Sequence, residues 1–193
     1  MFFSYHIYYH FIKISNNNLI DNYYKNEETI QDNNKSKIKK MSNDSSVEEY
    51  LGILTIPKIN LKIGFYNKNS KKNNVNKNVT LLKDSIMPEM DKSIVYLAAH
   101  SGTGYLAYFK DINKLTNNDM IYLNIDNISY SYIITDIYEN PKNGEIIIDR
   151  NINEKYLVLT TCSKNKNMQL VIVSKMINRI WYNNIEFNVY LIN

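Results

Sequence analysis

Apolar and polar positions change rhythm near residue 50. Upstream, "MFFSYHIYYHFIKI" is a short aromatic run followed by the uneven polar stretch "SNNNLIDNYYKNEETIQDNNKSKIKKMSNDSS". Downstream, short apolar runs recur, broken by asparagine- and lysine-rich loops. "YLGILTIPKINLKIGFY" predicts two strands around Pro57, which marks an edge or a turn because proline cannot donate to a ladder. "VTLLKDSI" predicts a short helix or turn. "DKSIVYLAAHSGTG" predicts a strand ending at His100, then a loop carrying Gly102 and Gly104. "YLAYFKDINKL" has helical spacing. "NNDMIYLNIDNISYSYIITDIYEN" predicts two strands around a turn at Asp126-Asn127. "PKNGEIIIDR" predicts a loop leading into a short strand. "EKYLVLTTC" and "MQLVIVSKMI" predict two more strands, and the tail "NRIWYNNIEFNVYLIN" a further strand or short helix. About eight short strands, with no long amphipathic helices between them, predict an all-β fold with one or two short helices. A mostly antiparallel barrel or sandwich fits this pattern better than a doubly wound parallel sheet. The change at residue 50 divides the chain into an N-terminal segment and tether, 1–49, and a β domain, 50–193.

Composition narrows the class. The chain has 193 residues, 44% hydrophobic, 12% aromatic and 22% charged, a globular rather than disordered balance. The net charge of +4 is scattered among asparagines, with no arginine-rich helix or finger spacing, so nucleic acid is not an expected partner. The aromatic start, about 14 residues, is shorter than the ~20 that span a bilayer. It contains His6, His10 and Lys13 and lacks the basic start and small-residue exit of a signal peptide. An interfacial segment, the end of a membrane anchor and an ordinary buried aromatic segment all fit it. A single cysteine and three histidines argue against an intramolecular disulfide and against a zinc site; no metal or cofactor is expected.

That cysteine, Cys162, stands where a buried-looking strand breaks into the polar loop "SKNKN". His100 ends another apolar run. A thiol alone is a modest nucleophile at neutral pH, because only a few per cent is thiolate. An imidazole beside it can hold the thiolate as an ion pair and carry protons to and from a leaving amine. Yet a lone cysteine in an apolar strand is ordinarily a small core residue, a lone histidine is ordinarily structural, and 62 residues separate the two. From the residues alone, the reading stops at a barrel with a cysteine and a histidine at strand ends.

Whole segments carry it further. "GILTIPKINLKIGFY", "SIVYLAAHSGTG", "YFKDINKLTNNDMIYL" and "YLVLTTC" followed by "MQLVIVSKMI" resemble, in order, the segments of a sortase. The run Leu157-Val158-Leu159-Thr160-Thr161-Cys162 is similar to the family's T-L-x-T-C signature, and Ala98-Ala99-His100 to its A-G-H. The resemblance covers residues 50 to about 177. It implies a closed eight-stranded β-barrel and a cysteine transpeptidase on the outer face of a Gram-positive-type cell membrane. On this expectation Cys162 attacks an LPxTG-like sorting signal to give a thioacyl enzyme, which an amine from a cell-wall precursor or a pilin then resolves. His100 serves as acid and base, while Thr161 and Ser101 help shape the substrate site. The family's arginine at the start of the last strand is replaced by Gln169, which can offer two N–H donors to an oxyanion but no charge. Lys164 and Lys166 lie in the adjacent loop. Two alternatives remain open: a catalytically weak, sortase-like peptide-binding module, and a cysteine protease that passes the acyl group to water.

Overall fold

The computed structural model describes residues 2–33 and 49–181. A 32-residue helix, α1 (Phe2–Asn33), precedes eight strands: β1 (Gly52–Ile56), β2 (Leu61–Phe65), β3 (Thr80–Leu81), β4 (Ile94–Ala98), β5 (Met120–Ile125), β6 (Ile128–Pro141), β7 (Tyr156–Cys162) and β8 (Met168–Trp181). They form one sheet in the order β2-β1-β5-β6-β8-β7-β4-β3. A bridge between Phe65, at the end of β2, and Val79, just before β3, brings the two edges together. The result is a nearly closed eight-stranded barrel, mostly β, as the strand count predicts. Its interior is apolar and continuous, with Leu54, Phe65, Leu97, Phe109, Tyr132 and Leu159 fully buried.

Local chemistry accounts for most of the strand boundaries. Pro57 opens a 3-10 turn, Pro57–Ile59, that closes on Asn60 in the left-handed region (φ 50°) and reverses β1 into β2. Asp126 and Asn127 both have positive φ, 48° and 62°, the backbone of a two-residue hairpin turn matched to strand twist. It joins β5 to β6 in a register that pairs Ile125 with Ile128.

Three expectations need correction. "VTLLKDSI" supplies the two-residue strand β3 rather than a helix, because Leu81 is buried where it pairs with Leu97 of β4. "YLAYFKDINKL" is a chain of tight turns with one 3-10 turn, Ile112–Lys114. Its helical spacing instead sets Ala107, Phe109, Ile112 and Leu115 as a plug in the barrel end. "GEIIIDR" forms no strand. Its alternation is real, with Ile146 and Ile148 packed near Tyr138 and Val158 and Ile147 exposed, but both edges of β7 are already taken by β4 and β8. The segment therefore crosses the sheet face instead of extending the sheet. The helical content is one long N-terminal helix and, within the β domain, two short 3-10 turns, in keeping with the one or two short helices expected. The tail beyond Trp181, and residues 34–48 of the tether, lie outside the described residues.

Helix α1 lies on the outer surface of β1 and β2. Ile20 and Tyr23 are buried with Tyr50, Ile53 and Tyr66. The Asn16 amide donates to the Lys62 carbonyl (3.3 Å), and the Tyr50 hydroxyl donates to the Asn16 side-chain oxygen (3.0 Å). Towards its start Tyr8, Tyr9, Phe11 and Ile14 are exposed, and the Tyr8 ring meets Tyr105 edge-on, with centroids 4.7 Å apart. Among the described residues, no helix is long and apolar enough to cross a membrane. Beneath α1, the Tyr50 ring fills the space over Gly64: a Cβ added there would lie 2.0 Å from ring carbon Cδ2. Gly64→Ala therefore displaces Tyr50 and overpacks this layer. The expected cost is about 2 kcal/mol in denaturant unfolding, and an unchanged midpoint would mean that the ring is not seated there.

Candidate active site

β4 and β7 are parallel neighbours, with Ile94 opposite Tyr156 and Ala98 opposite Thr160. Carrying that register two residues further sets His100 level with Cys162, one strand spacing of about 4.8 Å away. The period of two gives both the same face. Val95, Leu97 and Ala99 point into the barrel with Leu157 and Leu159, whereas Ile94, Tyr96, Tyr156 and Val158 point outward. His100 and Cys162 follow the outward set. The 62-residue separation thus closes because two strands run the same way side by side.

Beyond the last ladder bond, side chains hold the two strand ends together. Thr161, buried, donates its Oγ1 to the Ala99 carbonyl (2.7 Å), and Ser101 donates its Oγ to the Cys162 carbonyl (2.7 Å). The Phe109 amide donates to the His100 carbonyl (3.0 Å), tying the start of the glycine loop to the core plug. Gly102, at φ +123°, turns this loop through a conformation that side chains resist. Ser101 and Thr161, expected to shape the substrate site, are thus placed as ties between the strands that carry His100 and Cys162.

Cys162 is a free thiol and exposed. The His100 ring is half-buried, and its Nε2 lies 2.9 Å from the side-chain oxygen of Asn76. An amide oxygen can only accept, so Nε2 is the donor in this contact. Asn76 was not legible as a site residue: it comes from the loop "NKNSKKNNVNKN", where asparagine carries no signal. Gln169 pairs directly with Cys162 across β7 and β8, on the same outer face. Its oxygen accepts from Thr160 Oγ1 (3.3 Å), and its Nε2 faces the carbonyls of Pro141 and Glu145, both at 3.4 Å. Its amide donors are therefore turned to the β6–β7 loop. The two arginines lie elsewhere. Arg179 is opposite Tyr130, ten residues further along β8 than Gln169. Arg150 is exposed in the β6–β7 loop, and its charge acts on the phenol of Tyr96, on the face that carries His100. Burial, the larger effect, still raises the Tyr96 phenol above its usual range.

The turn after Cys162 is braced from β6. Glu139 accepts hydrogen bonds from the Ser163 hydroxyl and the Asn165 side-chain amide. These two donors hold its carboxyl below the usual range, so it stays ionised at neutral pH. Among the described residues, no group of three His, Cys, Asp or Glu side chains could hold a metal ion.

A barrel that carries a thiol and an imidazole at adjacent ends of two parallel strands defines a class: β-barrel proteins with a rim-mounted cysteine–histidine pair. The Sortase domain family model matches residues 54–177, which include both groups. The chain belongs to the sortase family. Sortase A of Bacillus anthracis is 24% identical over 131 residues, covering 67% of this chain and 61% of the relative; this chain thus spans about 61% of the length of that curated relative. Among solved structures, a Clostridium perfringens sortase D5 transpeptidase superposes with a TM-score of 0.63 at 17% identity, covering 84% of this chain and 98% of the other. The lid mutant of sortase A from Corynebacterium diphtheriae gives 0.61 at 15% identity, covering 72% and 75%. At these identities the structural likenesses establish the fold.

Proposed function

We propose that the protein is a cysteine transpeptidase that cleaves an LPxTG-like sorting signal and joins it to an amine. The observation that carries this reading is the placement of His100 and Cys162 on one face, at adjacent ends of β4 and β7. The Cys162 sulfur attacks the carbonyl carbon of the scissile peptide bond. A C–S bond forms, and the C–N bond breaks as His100 protonates the leaving amine. Residues 50–193 supply this chemistry. Residues 1–49 attach the domain to the outer face of the membrane of a Gram-positive-type cell, with the exposed Tyr9 and Phe11 of α1 resting at the interface. The acceptor is a cell-wall precursor or a pilin amine. Product analysis tests the reaction. With an LPxTG-like peptide panel and an added amine, mass spectrometry is expected to find the amine-joined product, and without amine the hydrolysed acid. Cleavage to acid alone at saturating amine would make the protein a protease, and no cleavage of any peptide would remove the proposal.

Gln169 favours a second reading, a peptide-binding barrel with feeble turnover, because a neutral side chain with its donors turned away stands opposite the nucleophile. A charged donor adds about 1–2 kcal/mol over a neutral one, so Gln169→Arg is expected to raise kcat/KM about tenfold, read in the same peptide assay. An unchanged rate would show that oxyanion stabilisation comes from other groups.

A further inference from the structure

His100 has a neighbour on each side. β4 lies between β7 and β3 in the sheet, so Cys162 is on one side of His100 and the chain leading into β3 is on the other. Thr80 pairs with Ala98 and Leu81 with Leu97, antiparallel. Carried two residues further, that register sets Asn78 level with His100 and brings the turn 74–78 alongside the imidazole. The turn belongs to the asparagine-rich loop, and its asparagines build it. The Asn74 carbonyl accepts from the Lys77 and Asn78 amides (2.8 and 2.9 Å), and the Asn74 side-chain oxygen accepts from the Asn76 amide (2.9 Å). Buried Asn78 accepts the Val79 amide on its side-chain oxygen (2.8 Å). Asn73 clamps β3: its oxygen accepts from the Leu81 amide (2.7 Å), and its own amide donates to the Leu81 carbonyl (2.9 Å). Exposed Asn76 is thus fixed through its backbone, and its side-chain oxygen meets His100 Nε2 at 2.9 Å. A histidine side chain has three χ1 wells and roughly two ring orientations. Turning the ring over puts a carbon where Nδ1 was.

We propose that Asn76 is a positioning residue for His100: it holds the ring by Nε2, on the side away from β7, and so keeps Nδ1 turned toward Cys162 for the proton transfers of acylation. The inference rests on the transpeptidase reading above. Asn76 acts only through the imidazole and moves no proton itself. A neutral amide oxygen fixes the ring without adding a charge beside it, so the imidazole can both take a proton and return it.

The test is single-turnover acylation of Cys162 by an LPxTG-like peptide, which separates the maximal rate from the peptide concentration at half-maximum. Asn76→Ala is expected to lower the maximal rate about fivefold, the loss when one arrangement among about six is no longer selected, and to change the half-saturating concentration less than about twofold. Asn76→Asp keeps an oxygen acceptor at the same reach and is expected to stay within about twofold of wild type, each protein being measured at its own optimum pH. In the His100→Gln background, Asn76→Ala changes the residual rate less than about twofold, because no imidazole is left to orient. Three results overturn the inference and leave the transpeptidase reading standing: an unchanged maximal rate in Asn76→Ala, an equal fall in Asn76→Asp, or an equal fall in the His100→Gln background, which a loosened loop would give. Absence of any acyl adduct in wild type removes both.

Discussion

Cys162→Ala folds as wild type does and transfers nothing: activity falls by at least about 10⁴-fold, because no other group can form the covalent intermediate. The thiol is exposed at the end of β7, so its loss leaves no cavity and stability stays within about 0.5 kcal/mol. That contrast separates a nucleophile from a core cysteine, which would show the reverse pattern of retained chemistry and lost stability. Peptide turnover measured beside denaturant unfolding reads both. Residual turnover above about 1% of wild type would assign the attack to another group.

His100→Gln is the second large effect. Glutamine keeps an amide donor that can reach the Asn76 oxygen, which in wild type receives the ring Nε2 at 2.9 Å, so the loop from Ser101 keeps its anchor. It has no basic nitrogen to take a proton from sulfur or return one to a leaving amine. Turnover is expected to fall about 10³-fold, the middle of the range for a positioned acid–base group. The ties from Thr161 to Ala99 and from Ser101 to Cys162 remain, so Cys162 stays in place and can still be alkylated by an uncharged reagent. A variant with near-normal turnover would mean that the imidazole is a bystander on the rim.

The parts of this architecture that the sequence makes legible are those where one residue decides one local geometry. Buried apolar runs mark β4, β7 and β8, Pro57 marks the reversal of β1, and Asp126-Asn127 marks the hairpin. The misread parts are those where the same pattern serves two outcomes. Ile146 to Ile148 alternates like a strand but has no free edge to join. Ala107 to Leu115 is spaced like a helix but plugs the barrel through turns. Helix α1 has no sequence signal beyond its aromatic start, because its docking residues, Ile20 and Tyr23, are scattered among asparagines.

The candidate site divides in the same way. Cys162 and His100 could be named from strand ends and from the run of sortase-like segments, and the parallel register of β4 and β7 supplies what spacing could not. Asn76 and Glu139 could not be named. One is hidden in an asparagine-rich loop, and the other sits in the polar–apolar alternation of β6, where a glutamate on the rim reads as an ordinary solvated side chain. Gln169 could be identified by position, but the direction of its amide, toward the β6–β7 loop, depends on the carbonyls of Pro141 and Glu145 and has no sequence signal.

Acid-quenched digestion and tandem mass spectrometry of wild type, mixed with an LPxTG-like peptide in the absence of amine, tests the central claim most directly. The account predicts a thioester-linked acyl group on the peptide that contains Cys162, cleared on addition of amine and missing in Cys162→Ala. Peptide cleavage that continues after Cys162 has been fully alkylated, with no acyl group on that residue, would contradict it.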